Sequence, residues 1–396
     1  MPFPIDQVRA LYPALSDGAA YLDGAAGTQT PSPVIEAIAE AYRRGIGNVG
    51  GAFAASHRSD AIVAAARQAV ADLVGGDPRG VILGPNMTTL TYRLSRALAG
   101  PGDEVVLSRL DHDANVRPWV QTGATIRWAQ VDPVTGELPA EQYGELVGPR
   151  TKVVAVSAAS NILGTRPDVA AITELAHRAG ALTYVDGVHA TAHGPVDVQA
   201  LGADLYATSA YKWSGPHIGA VVADPALLET LRPDKLASST DEVPERFEWG
   251  TSAFADLAGV AAAVDHLAAL VPGHGSRRER LLASMAAAEE HELELFEALV
   301  EGLQTMPDVT LYGKPARRTA TAYFAVAGHP PRQVAEHLAG LGVNVWNGHN
   351  YAWELTAALG VRDSGGAVRA GLVHYNDRSD VDRLLEGVRS IPRARP

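Results

Sequence analysis

The chain predicts an α/β fold: a mainly parallel sheet in a large unit, with a smaller α/β unit after it. Three observations predict it. From about residue 59, short apolar runs rich in Val alternate with helical stretches, the pattern of a parallel sheet covered on both faces. After about residue 255 that alternation gives way to one long helical stretch and then to apolar runs that suit a more antiparallel sheet. And 396 residues, 46% hydrophobic and 20% charged, suffice for a large core and two to three domain-sized units.

The elements follow in order. Residues 59–76 read as an amphipathic helix beginning near Ser59 and closed by Gly75 and Gly76. "GVILG" is a buried strand, and "MTTLTYRLSRALAG" is a helix ending at Gly100. "DEVVLS", "TIRWAQV", "KVVAVSAA", "ALTYVDG", "DLYATS" and "GAVVAD" are further strands, and "DVAAITELAHRAG" is one of the helices between them. The loop "VPGHGS" leads into a helix over residues 276–306. Strands at "VTLYG", "RTATAYFAVAG", "VNVW" and "AVRAGLVHYN" follow, with a helix from Arg332 and a closing helix, "SDVDRLLEGVRSI". The expected division is an N-terminal segment 1–20 packing on the small unit, a large domain 21–268 and a small domain 269–396.

Composition removes several function classes. The net charge of −12 and the lack of any Lys/Arg-rich run argue against nucleic acid as a partner. The absence of cysteine closes disulfides, thiolate metal sites and cysteine nucleophiles. No apolar run reaches membrane-spanning length, and "MPFPIDQVRALYPAL" lacks the pattern of a signal peptide, so the expectation is a cytoplasmic protein without a membrane partner.

Lysine is scarce, at positions 152, 212, 235 and 314 only. Lys212 sits between two aromatics in "SAYKWSGPHIGA". A desolvated amine can form a Schiff base, which a guanidinium cannot. Asp186 ends the apolar run in "TYVDGVHATAHG", and ligands of open α/β sheets bind beyond such strand ends. The next strand, "DLYATS", leads to Lys212, so neighbouring strands can bring the two into one crevice. A lysine for the Schiff base and a carboxylate for the pyridinium nitrogen are what a pyridoxal phosphate site needs.

The order "VDG…H", then S-x-x-K-x-x-G-P…G, resembles fold-type I pyridoxal-phosphate enzymes, and within them the class V aminotransferase and cysteine desulfurase group. The resemblance covers nearly the whole chain: "YLDGAAGTQTP", "DHDANVRPW", "SNILGT" and "VRAGLVHYNDRSDVDRLLEGV" fall in that group's order. It implies that Lys212 carries the cofactor and moves the substrate's Cα proton, that Asp186 pairs with the ring nitrogen, and that His112 stacks on the ring. Asn161 and His189 would serve the ring's 3′-oxygen. Ser209, Tyr211 and the helix start at Asn86 and Met87 would hold the phosphate. Arg369 would clamp the substrate's α-carboxylate. Thr251 would reach the phosphate of a neighbouring subunit, making the working unit a homodimer.

The chain departs from this pattern in two places. The small-domain loop "VWNGHNYAWEL" carries Tyr351 where cysteine desulfurases have their cysteine. Near "NVGGAFAASHRSD", Gly51 stands where relatives have arginine, and His57 and Arg58 are candidates for substrate contact or helix capping. With persulfide chemistry closed, the expected reaction is β-elimination from a sulfur-substituted cysteine, a C–S lyase, with His349 or Tyr351 assisting the leaving group. Epimerisation and transamination are the alternatives, and a non-catalytic regulatory protein is the second.

Overall fold

A computed structural model describes residues 3–392; the outermost residues of the expected first and last domains, 1–2 and 393–396, lie outside the described residues. The strands among the described residues are β1 (Ala20–Tyr21), β2 (Val81–Gly84), β3 (Glu104–Ser108), β4 (Thr125–Ala129), β5 (Thr151–Ser157), β6 (Leu182–Asp186), β7 (Leu205–Ser209), β8 (Gly219–Ala223), β9 (Val309–Leu311), β10 (Thr321–Val326), β11 (Val343–Asn344), β12 (Trp346–Gly348) and β13 (Ala367–Gly371). Seven of them form one sheet in the order β2-β8-β7-β6-β5-β3-β4. Its β3–β7 pairings are parallel, and β8 runs antiparallel to both β7 and β2. A second, antiparallel sheet has the order β12-β13-β10-β9. Short β1 pairs parallel with β11 and ties the N-terminal segment to the C-terminal part of the chain.

Burial on both faces explains the Val-rich strands. One core, containing Val106, Val154, Val185 and Tyr206, lies on one side of the large sheet, and another, with Val105, Val153, Tyr184 and Val221, on the other. The four-stranded sheet has its own core around Phe324, Val368 and Leu384, which also takes in Ala20 and Leu22. Helix Arg277–Gln304 begins with a capping box, Ser276 with Glu279. Its first half gives Leu281 and Met285 to the large-sheet core, and its second half gives Leu299 and Leu303 to the small one. We propose a domain division near residue 268, with this helix as the shared spine.

The first anticipated helix starts earlier than its sequence suggests, at Ala54. The Ser59 hydroxyl donates to Gly47 O (2.7 Å), so this serine is bound inside the helix and does not cap it. His57 and Arg58 also lie within the helix, which corrects the capping alternative; Arg58 Nε donates to Gly45 O (2.7 Å). Several helices were not anticipated, the longest being Ser32–Arg44 and Phe254–Leu267. These two pack so closely that a Cβ on Gly259 would stand 2.8 Å from the Ile38 side chain.

Candidate active site

The parallel pairing of β6 with β7 aligns Asp186 with Ala207, so the carboxylate and the turn Ala210–Lys212 emerge side by side at the carboxyl edge of the sheet. Asp186, Lys212, Ser209, Tyr211 and His189 line one cavity. Asn86, Met87, His112 and Asn161 also line it.

The Lys212 amine donates to Ala25 O (2.5 Å). Burial in the cavity, then the nearby Arg369 charge, pull it down to about 7, against the opposing pull of Asp186 and Asp23. A neutral amine is thus available near neutrality, the nucleophilic form that attacks a carbonyl carbon to make a Schiff base. The Asp186 carboxyl is pushed up to about 7, chiefly by burial and further by the Asp111 charge, while the Val188 N–H it accepts (2.9 Å) and Lys212 act in the other direction. A carboxylate desolvated in this way gains most from a cationic partner. Beneath it, Asp111 accepts from Asn115 Nδ2 (2.9 Å), Ser157 Oγ (2.7 Å) and the Ser108 hydroxyl. This network anchors the segment that carries His112. The His112 ring accepts from Ala114 N at Nδ1 (3.0 Å), and burial, then the charges of Lys212 and Arg369, hold it down at about 3. It therefore presents a neutral face to the cavity.

At the opposite end, Met87 N donates to Ser209 Oγ (3.1 Å) at the start of helix Met87–Leu98. The helix N-terminus and a hydroxyl make an anion site. The Asn86 side chain caps this helix by accepting from Thr89 N (2.8 Å), so its oxygen is already engaged. Gly219 permits the close approach of β8, since a Cβ there would stand 2.3 Å from the Asn86 carbonyl carbon. Tyr211 stacks on His217 (5.0 Å between centroids, 10°) and its carbonyl accepts from Thr28 N (2.9 Å). His189 Nε2 lies 3.0 and 3.1 Å from the hydroxyls of Thr319 and Thr321, and burial holds its ring neutral.

Arg369 projects from β13 into a second cavity that opens from the first and shares Lys212, Tyr211, His112 and Asn161 with it. Its guanidinium donates to Asn161 O (3.1 Å), and Nε has no protein partner. Burial lowers it to about 10, against the opposing pull of the Asp23 charge, so it remains a cation, without a direct ion pair among the described residues. Asn161 Nδ2 donates to Asn350 O (2.8 Å), and its buried Oδ1 is unpartnered. The loop residues His349 and Tyr351 stand at this cavity's mouth. His349 Nδ1 accepts from Tyr351 N (3.1 Å), which leaves the proton of the neutral ring on Nε2. Asn350 and Tyr351 both adopt left-handed backbone, φ 49° and 57°.

Thr251 lies apart. It is exposed and lines a separate surface groove with Asn48, Arg67 and Glu245. One chain by itself does not bring it to Lys212. Among the described residues, no group of side chains is arranged to hold a metal ion, and no helix is long and apolar enough to cross a membrane. The sequence reading missed Asp111, Gly219 and the Ala25 carbonyl. The first acid of "DHDAN" was the available signal for Asp111.

An amine, a buried carboxylate, a neutral ring and an anion-binding helix start around one cavity fit pyridoxal phosphate, and fold and site together define a pyridoxal-phosphate-dependent enzyme. The chain belongs to the class-V aminotransferase family, whose model (Aminotransferase class-V) matches residues 20–384. It is 39% identical to an uncharacterized protein of Mycobacterium tuberculosis (strain CDC 1551 / Oshkosh), over 99% of this chain and 100% of that one. It is 34% identical to a cysteine desulfurase of Klebsiella pneumoniae, over 99% of each chain. Among solved structures, the cysteine desulfurase CsdA from Escherichia coli superposes with a TM-score of 0.84 at 30% identity, covering 98% of each chain.

Proposed function

We propose that this enzyme is a C–S lyase: it eliminates a thiol from a sulfur-substituted cysteine and works as a homodimer in the cytoplasm. The observation that carries the reading is the loop at the cavity mouth, where Tyr351 offers a phenol in a chain without cysteine. A persulfide needs a sulfur nucleophile, and no residue here supplies one, so desulfuration of the kind named for the relatives is set aside.

The net reaction takes one water: the substituted cysteine becomes a free thiol, pyruvate and ammonium. Pyridoxal phosphate supplies the electron sink that makes the Cα proton acidic. In this reading Lys212 would hold the cofactor and take that proton, and Asp186 would keep the ring nitrogen protonated. His112 would face the ring, and Asn161 and His189 would serve its oxygen. Ser209, Tyr211 and the backbone at Asn86 and Met87 would hold the phosphate, with Thr251 contributed from the partner subunit. Arg369 binds the α-carboxylate through parallel N–H bonds. His349 Nε2–H or the Tyr351 phenol protonates the departing sulfur as its bond to Cβ breaks.

The test is a panel of S-substituted cysteines assayed together for pyruvate, alanine and racemised substrate. Pyruvate with ammonia is expected. Racemisation without pyruvate would replace this reading with an epimerase, a keto acid retaining the substituent with an aminotransferase, and no turnover with a regulatory protein. Borohydride reduction should fix the cofactor on the Lys212 peptide. Tyr351→Phe should slow elimination by about 10²-fold if the phenol is the acid. Unchanged rates in both Tyr351→Phe and His349→Ala would remove the loop from the chemistry.

A further inference from the structure

The second cavity has a volume of about 710 Å³, part of which a cofactor on Lys212 would fill, since Lys212, Tyr211, His112 and Asn161 line both cavities. The nature of its walls narrows the occupant. On the four-stranded sheet, Arg369 pairs across to Trp346 on one side and to Tyr323 on the other. Directly opposed residues project on the same face, so the half-exposed Trp346 indole stands beside the guanidinium proposed to hold the α-carboxylate. At the mouth, the Tyr351 ring lies over His112 (centroids 5.4 Å apart, 34°), and His349 meets Tyr351 edge-on (6.1 Å, 83°). Tyr92 contributes from helix Met87–Leu98. Trp346 and Tyr351 leave 51% and 67% of their surfaces exposed, which is surface available to a ligand.

The charges narrow it further. Arg117, the other arginine on this cavity, is held by Asp113 (3.0 Å) and Glu354 (3.2 Å). Glu354 is itself bound by Arg109 (2.9 Å). Once Arg369 has taken the α-carboxylate, the lining offers no unpaired arginine for a second acid group.

We infer that this aromatic-walled cavity selects amino acids with a neutral, planar substituent, an aryl or arylmethyl group on sulfur in the lyase reading on which the inference rests. Offset and edge-on ring contacts favour such a group beyond its burial.

Binding is read apart from elimination with L-phenylalanine, L-alanine and L-aspartate, which carry no sulfur leaving group, by their perturbation of the holoenzyme's cofactor absorbance. Phenylalanine should bind at least tenfold tighter than either of the others. Trp346→Ala should bring phenylalanine to within about threefold of alanine, a change in ratio that a general loss of structure would not produce. Equal affinities, or a preference for aspartate, would overturn the inference. Turnover of S-benzyl- and S-methyl-cysteine separates it from the lyase reading. Aromatic preference in binding with no pyruvate from either would sink the lyase and leave the inference standing. Pyruvate from both with equal kcat/KM, and no aromatic preference in binding, would do the reverse. A Trp346→Ala variant that binds all ligands as the parent does but sediments as a smaller species would assign the indole to a subunit contact and refute its role here.

Discussion

At the scale of single residues, two buried groups make the cofactor-free pocket costly, and pH separates them. Lys212 drops from 10.5 to about 7 on folding. Between about 7 and 10.5 the unfolded chain therefore holds a proton that the folded chain has shed, and stability rises with pH across that window; below about 7 the penalty is full. Asp186, raised to about 7, acts in a lower window: stability falls with pH from the ordinary carboxylate range up to about 7 and is level above it. Denaturant melts of the cofactor-free protein at pH 7 and pH 10 isolate the lysine. Lys212→Met should be more stable than the parent at pH 7 by roughly 2 kcal/mol, a value below the full shift because the side chain keeps some exposure, and the gap should close by pH 10. A gap that is the same at both values would show that the lysine is not desolvated. Lys212 and Asp186 were legible because adjacent parallel strands end beside one another. Ala25 was not, since its contribution is a main-chain oxygen that no side-chain pattern announces.

At the scale of elements, the loop between β12 and helix Trp353–Ala358 is held by its carbonyls: Asp113 N donates to Tyr351 O (2.7 Å) and Asn161 Nδ2 to Asn350 O. The Tyr351 ring is mostly exposed and its backbone is left-handed, a conformation that costs a non-glycine residue about 1–3 kcal/mol. Tyr351→Gly removes the ring but relieves that conformation, so thermal melts should place it within about 1 kcal/mol of the parent while elimination falls at least as far as in Tyr351→Phe. A loss above about 3 kcal/mol would make the ring a structural residue. The loop's aromatics were visible in "VWNGHNYAWEL". The helices Ser32–Arg44 and Phe254–Leu267 were not, because what pins them is the contact of Gly259 with Ile38, residues far apart in the chain. The reversed direction of β8 was readable in principle: the turn from Ser209 to Gly219 is too short for a parallel crossover, which takes a dozen residues or more.

At the scale of the whole molecule, the parallel sheet followed from the Val-rich runs and the antiparallel second sheet from the change of pattern after about residue 255, whereas Thr251, proposed to serve a partner subunit, lies apart from Lys212 within one chain. Around its groove, Val49, Phe53 and Trp249 are exposed, apolar surface that a partner subunit would cover. A dimer of this kind buries on the order of 2,000 Å² or more. If Thr251 serves the opposite subunit, Lys212→Ala and Thr251→Ala chains fail by different routes. Refolded together, they should regain activity through mixed dimers, in which one site has both its own Lys212 and a partner's Thr251. A fully active monomer in sedimentation, or no complementation from a Thr251→Ala chain that is itself impaired, would refute the shared site.

The pairing of β1 with β11 also sets an order of events during synthesis. About 320 residues separate the two strands, so the segment that supplies Ala25 leaves the ribosome early and waits for its partner strand. At about 5–20 residues per second that wait is on the order of tens of seconds. The large sheet can close in that interval, but the segment that gives Lys212 its carbonyl acceptor is not tied down until residues 343–344 have emerged. A nascent chain stalled before residue 343 should therefore hold the cofactor poorly, however well its sheet has formed.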